Sequence, residues 1–410
     1  MMGNAAVAAA APATARPIDR FIVTTALTGL AVMAGLIALE APADRVWLLL
    51  IGAGLGIALY HAAFGFTAGW RNMVTRRRSG GLRAQLLLLA IATVLFVPVL
   101  GWAEGLGLTG ISGTLAPVGV SLVVGSLLFG FGMQLGGGCG SGTLFTVGAG
   151  NLRMMITLLM FVVGSVIGTM HLPWWLERPG IDPVNLTERL GVFATIGMQL
   201  AVIGILASAV LWLERRRHGS VDRALMAPRD AGAVTTLFKG GWPLLWGAIA
   251  LAVLNLATLL VAGYPWGVTF AFGLWGAKIL QATGVDMAQW SFWTWDYPAL
   301  ALRDSLLVNV VSVMNFGLLL GAMLAAGLAG RFNRASQKPL SGRSMLAAVV
   351  GGLSMGYGAR LGFGCNIGAM FSGIASASLH GWIWFACAFA GSILGIRLRP
   401  WFGLDQPEGR

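Results

Sequence analysis

Residues 123–146 read "VVGSLLFGFGMQLGGGCGSGTLFT", and residues 349–372, 226 positions further on, read "VVGGLSMGYGARLGFGCNIGAMFS". Without a gap the two stretches are identical at 12 of 24 positions, including Gly130 and Gly356, Gly138 and Gly364, Cys139 and Cys365, and Phe145 and Phe371. Such a match marks a duplicated unit rather than chance. In each copy a long apolar run ends in a glycine cluster, a cysteine follows, and a second apolar piece (141–150 and 366–377) is too short to cross a bilayer. Short pieces of this kind read as half-helices of broken or re-entrant segments, tolerated in a membrane only where protein or a polar cavity satisfies the freed backbone.

The rest of the chain supplies the membrane context. Of 410 residues, 57% are hydrophobic and 10% charged. From 84 to 152 the acids and bases reduce to Glu104, and from 305 to 330 there is none. That patterning predicts an all-α polytopic membrane protein with spans near 21–39, 47–70, 84–103, 116–135, 154–171, 191–213, 243–262, 266–283, 304–329, 343–360 and 381–398. The net charge of +12 lies in three loops, around Arg71–Arg83, Arg215–Lys239 and Arg331–Arg343. The loops between hold Arg45, Arg178 and Arg189 against eight acids, so the basic loops are expected to be cytoplasmic and no nucleic-acid partner is implied.

The expected organisation is a disordered cytoplasmic tail over 1–20, a transmembrane half with the first repeat over 21–213, a basic cytoplasmic linker over 214–241, a second half over 242–400 and a cytoplasmic tail over 401–410. Weaker echoes, "AFGF" at 63–66 with "AFGL" at 271–274 and "LRAQLL" at 82 with "LRDSLL" at 302, extend the duplication. The helix leading to Cys139 starts in an acidic loop and the helix leading to Cys365 in a basic one, so the repeats are expected to be inverted. Inverted repeats with broken helices place a transport site at the repeat interface, where half-helix N-termini offer N–H groups to an anion.

Candidate residues follow from that frame. Cys139 and Cys365 head the list, with Gly138, Gly140 and Gly364 opening the backbone around them. Arg360 stands five residues before Cys365 and is the one Lys, Arg, Asp or Glu between Arg343 and Arg397; at depth such a charge is expected to be functional, though a snorkelling arginine would read the same way. Lys278 raises the same pair of readings. Asn366, Ser141 and Thr143 can cap a half-helix or bind a substrate. Cys387 has no repeat mate and reads as filler, and "WSFWTWDY" at 290–297 reads as an interfacial aromatic belt. No Cys/His cluster suggests a metal and no cofactor is expected; no phosphate-binding glycine loop is present, which excludes ATP-driven transport by this chain alone.

"GFGMQLGGGCGSGTLFTVGAGN" at 130–151 and "MGYGARLGFGCNIGAMFSGIASASLHGW" at 355–382 resemble the two signature segments of the YeeE/YedE sulfur transport family. The resemblance implies an hourglass-like fold of inverted repeats in the bacterial inner membrane, in which the termini expected above would be cytoplasmic. Cysteines at its constrictions would hold and pass on thiosulfate or a related sulfur-containing anion, with a cytoplasmic sulfur-carrier protein as a further partner. Cys139 and Cys365 fall on two of the family's transport cysteines, while Gly65, in "FGFTAGWRN", stands where a third is often found. The residues leave a selenium compound open as substrate. A membrane thiol enzyme of the sulfurtransferase kind is the rival reading, but it would need an activating base, and no His or acid lies within ten residues of Cys365.

Overall fold

Lipid offers no hydrogen bonds, so apolar runs must satisfy their backbone internally, and here they do so as helices. The structure, a computed structural model, describes residues 17–223, 225–226, 233–332 and 341–404. The first half carries α1 (Arg20–Glu40), α2 (Asp44–Ala62), α3 (Phe66–Arg76), α4 (Gly80–Gly101), α5 (Val120–Gly136), α6 (Gly140–Gly148), α7 (Leu152–Leu176), α8 (Leu186–Leu190) and α9 (Val192–His218). The second carries α10 (Ala233–Lys239), α11 (Leu244–Ala262), α12 (Thr269–Ala282), α13 (Asp296–Arg303), α14 (Val310–Leu328) and α15 (Gly342–Leu361), then a π-helical turn (Asn366–Ser372) running into α16 (Gly373–Ala375), and α17 (Leu379–Leu398). Asp19, Asn151, Asn309 and Ser341 each accept a first-turn N–H, which fixes the starts of α1, α7, α14 and α15. Two-residue strands, β1 (Val118–Gly119) and β2 (Gly180–Ile181), pair antiparallel and hold the start of α5 beside the end of α7.

The repeats interlock. Gly125, early in α5, packs on Leu361 and Gly362 at the end of α15, and its repeat mate Gly351 packs on Gly136 at the end of α5. The two helices are therefore antiparallel, with equivalent residues facing equivalent residues, as an inverted repeat requires. A Cβ added to Gly358 would lie 2.6 Å from Gly125 O and 2.7 Å from Phe129 N, so the backbones are in contact. Outside this pair α7 lies on α15 while α17 lies on α5, and α2 lies on α14 while α4 lies on α11. Each partner thus exchanges with its counterpart. α1 packs on α14 and α9 on α4, at the periphery.

Among the described residues nine helical segments are long and apolar enough to cross a membrane, fewer than the eleven expected spans. α12 accounts for one difference, because at 14 residues it is shorter than a bilayer is thick. α15 accounts for the other: it has the length, but Gly, Ser, Arg343 and Arg360 lower its apolarity, and its position between α5 and α7 spares it the lipid. The expected single span 47–70 is broken at Ala63, whose φ of 48° ends α2. The weaker echoes fall on unlike places, since "AFGF" closes α2 and opens α3 while "AFGL" lies within α12. Of the expected tails, residues 1–16 and 405–410 lie outside the described residues, as do 224 and 227–232 of the expected linker; that stretch also carries the end of α9 and all of α10. The Trp-rich stretch is a belt only in part: Trp295 and Tyr297 are exposed, but Phe292 and Trp293 are buried, and Trp293 Nε1 donates to Thr169 Oγ1 at 3.2 Å.

Candidate functional site

Three residues, Gly137 to Cys139, separate α5 from α6, with Gly137 at a φ of 99°; four, Gly362 to Cys365, separate α15 from the π-turn, with Phe363 at 58° and Gly364 at 151°. Both cysteines are N-cap residues in extended backbone, with ψ of −167° in each case. Cys139 O accepts from Thr143 N at 2.8 Å, and Cys365 O accepts from Ala369 N at 2.9 Å; Thr143 and Ala369 are repeat mates. The thiols follow the same symmetry. Cys139 Sγ lies 3.5 Å from Ser141 Oγ, and Cys365 Sγ accepts from Ile367 N, the repeat mate of Ser141, at 3.4 Å. The loop glycines are required by space: a Cβ on Gly364 would lie 2.7 Å from Ala369 N and one on Gly138 3.0 Å from Gly142 C.

These two loops meet at the N-terminus of α6. A methyl built on Gly140 would stand 3.1 Å from Cys365 Sγ, and one on Gly142 would stand 3.4 Å from Cys139 Sγ. Both thiols therefore border the first turn of one half-helix, where N–H groups lack intrahelical partners. Both are buried, and each lies within electrostatic range of the other. Around them are buried polar atoms without partners among the described residues: Thr143 Oγ1 and both amide atoms of Asn366. Of the two readings left open for Asn366, capping does not hold, because Cys365 occupies the N-cap and its sulfur takes the N–H of Ile367. Arg360 lies in the last turn of α15, 8% exposed, with its guanidinium 5.8 Å from the centre of the Phe270 ring and within electrostatic range of Cys365. It is buried rather than snorkelling.

The profile of the sulphur transport family matches residues 61–394, most of the chain and both thiol loops. The chain belongs to the sulphur transport family. Among its curated relatives, the "Thiosulfate transporter TsuA" of Escherichia coli is 25% identical over 88% of this chain and 95% of its own length. The protein of that name from Spirochaeta thermophila is 28% identical over 82% and 93%. The "Probable transporter YedE" of Salmonella typhimurium is 35% identical over 39% of this chain, and the match spans only 40% of that relative's length.

Gly65, which the resemblance sets at the place of a third cysteine, caps α3 in extended backbone, and a Cβ there would meet nothing closer than Ala68 Cβ at 3.6 Å. The position has room for a side chain that this chain does not supply. Lys278 is not part of the site. Its Nζ donates to Leu302 O at 2.8 Å and Asp304 O at 2.7 Å, tying α12 to the end of α13. Lys278→Met is therefore expected to cost about 1–3 kcal/mol of stability, read as a lowered unfolding temperature in detergent, with activity per folded molecule retained; a variant as stable as the parent would refute that role. Sequence reasoning missed Arg153 and Arg399. Arg153 donates to Gly136 O (2.6 Å) and Leu135 O (2.7 Å), and Arg399 to Gln134 O (2.5 Å), so two cations close the C-terminus of α5. Gln134, the repeat mate of Arg360, is itself held through Nε2 by Ser392 Oγ and Thr67 O.

Proposed function

We propose that this chain moves thiosulfate, or a closely related sulfur-containing anion, across the bacterial inner membrane along a path that touches Cys365 and Cys139 in turn. The observation that carries the reading is the meeting of both thiols at the first turn of α6, at the interface of two antiparallel repeats. Thiosulfate is a dianion with a soft terminal sulfur. A neutral S–H is a weak donor that holds such a sulfur without trapping it, as conduction requires, whereas a thiolate would repel it. Gly138, Gly140 and Gly364 keep the backbone open beside the thiols, Asn366 offers its unpartnered amide, and Arg360 attracts the anion.

The names of the TsuA relatives support this substrate class, and the thiol environment disfavours an enzyme: among the described residues the sulfurs' hydrogen bonds are to the Ser141 hydroxyl and the Ile367 N–H, neither of them a base to activate a nucleophile. In this reading both termini and the linker 214–241 are cytoplasmic, the halves 21–213 and 242–400 each contribute one thiol loop, and a cytoplasmic sulfur-carrier protein receives the cargo. Purified protein in proteoliposomes is expected to take up radiolabelled thiosulfate, with unlabelled thiosulfate competing more strongly than sulfate or selenite. Uptake no faster than in protein-free vesicles would sink the proposal, and preferential competition by selenite would reassign the substrate.

A further inference from the structure

Arg360, to which the transport reading gives only a general attraction, and Ser165, which that reading does not use, converge on one spot of α12. Ser165, in α7, is fully buried, and its Oγ has no hydrogen-bond partner among the described residues. The same holds for Nε of the buried Arg360, which forms no salt bridge among those residues. Both flank Gly273: a Cβ built there would lie 3.3 Å from Ser165 Oγ, 3.6 Å from Thr169 Cγ2 and 3.7 Å from Arg360 Nη1. The missing side chain leaves a recess bordered by a hydroxyl and a guanidinium. Gly168 holds the arginine there, since a Cβ at that position would stand 2.7 Å from Arg360 Cγ, and the stem of the side chain occupies the space. A buried hydroxyl and a buried cation left unpaired are costly unless a ligand completes them.

We propose that Arg360, Ser165 and the recess at Gly273 form an oxyanion station separate from the thiols, one that reads the oxygen-bearing end of the substrate. The inference rests on the transport reading above and adds the basis of selectivity. Hard oxygens accept from N–H and O–H donors, and the guanidinium supplies charge and a planar fork suited to a sulfonate group. The soft sulfur is left to the S–H groups. A substrate with both ends, a small tetrahedral sulfur oxyanion bearing one sulfane sulfur, engages both kinds of site. Sulfate would fill the station and gain nothing from the thiols.

Gly273→Ala tests this, because the methyl would stand in a tight 3.3 Å contact with Ser165 Oγ and within 3.7 Å of Arg360 Nη1, crowding both donors through side-chain rather than backbone contacts. In proteoliposomes the variant is expected to raise the KM for labelled thiosulfate by about tenfold, the scale of one lost charge-assisted hydrogen bond, and to lose competitive inhibition by sulfate. Ser165→Ala should raise KM by roughly three- to fivefold. Gly197→Ala, where a Cβ meets nothing within 4 Å, should match the parent. Unchanged KM and unchanged sulfate inhibition in Gly273→Ala and Ser165→Ala would overturn the station. Should the parent show no thiosulfate uptake, the substrate reading fails, and the station is then read from protection of detergent-purified protein against thermal unfolding by sulfate. Protection of the parent and not of Gly273→Ala upholds it; protection of both or neither overturns it.

Discussion

Cys365→Ala and Cys139→Ala are each expected to reduce thiosulfate uptake to the level of protein-free vesicles while leaving the amount and melting temperature of the protein nearly unchanged. The separation follows from what each thiol touches. Removing a small buried sulfur costs ~1 kcal/mol in packing. The backbone that shapes each loop is held by bonds that do not involve the thiol proton, from Thr143 N to Cys139 O and from Ala369 N to Cys365 O. What disappears is the soft donor at the first turn of α6. Because the two thiols border the same turn, one does not replace the other, and the double variant should be no worse than either single one. Serine at either position keeps a hydroxyl of similar size but not the softness, so it should also fail. Uptake above half of the parental rate in either alanine variant would show that its sulfur is not on the path.

Gly358→Val should remove the protein from the membrane fraction altogether. A Cβ at this position would lie 2.6 Å from Gly125 O and 2.7 Å from Phe129 N, atoms of the backbone of α5 that cannot rotate away. Separating α5 from α15 would also disturb α7 and α17, which pack on the same pair. The cost is put at about 3 kcal/mol or more, since overpacking here meets rigid helices rather than side chains. Gly204→Val, on a face of α9 where nothing lies within 4 Å, is the control for a valine in a membrane helix. Comparable yields of the two variants by immunoblot and size-exclusion chromatography would refute the account of the crossing.

The duplicated stretch made the central architecture readable from sequence. Apolar runs gave the long helices, the matched glycines and cysteines gave the two half-helices, and the loop charges gave the inversion. The break after α2 was hidden because Ala63 adopts a left-handed conformation that alanine normally avoids, and nothing in "ALYHAAFGF" marks it. Lys278 and Arg360 looked alike as isolated cations in apolar sequence, and only tertiary structure separates them: the first donates to the carbonyls at the end of α13, whereas Nε of the second has no hydrogen-bond partner among the described residues. Ser165 and Gly273 were invisible for a related reason. A serine and a glycine in apolar helices are ordinary packing residues until α7, α12 and α15 bring them beside one guanidinium.

The unequal capping of the two long repeat helices has a kinetic meaning. At the end of α5 the charges of Arg153 and Arg399 are spent on helix carbonyls, whereas at the end of α15 Arg360 keeps its charge available. On the proposed path an anion would therefore meet a deeper potential well on the α15 side of the thiols than on the α5 side. For a conduit without an energy source, detailed balance forbids that lopsidedness from driving accumulation. It sets instead the concentration at which each face saturates, with half-saturation reached at lower concentration from the Arg360 face, and with the maximal rates in the two directions differing by the same ratio.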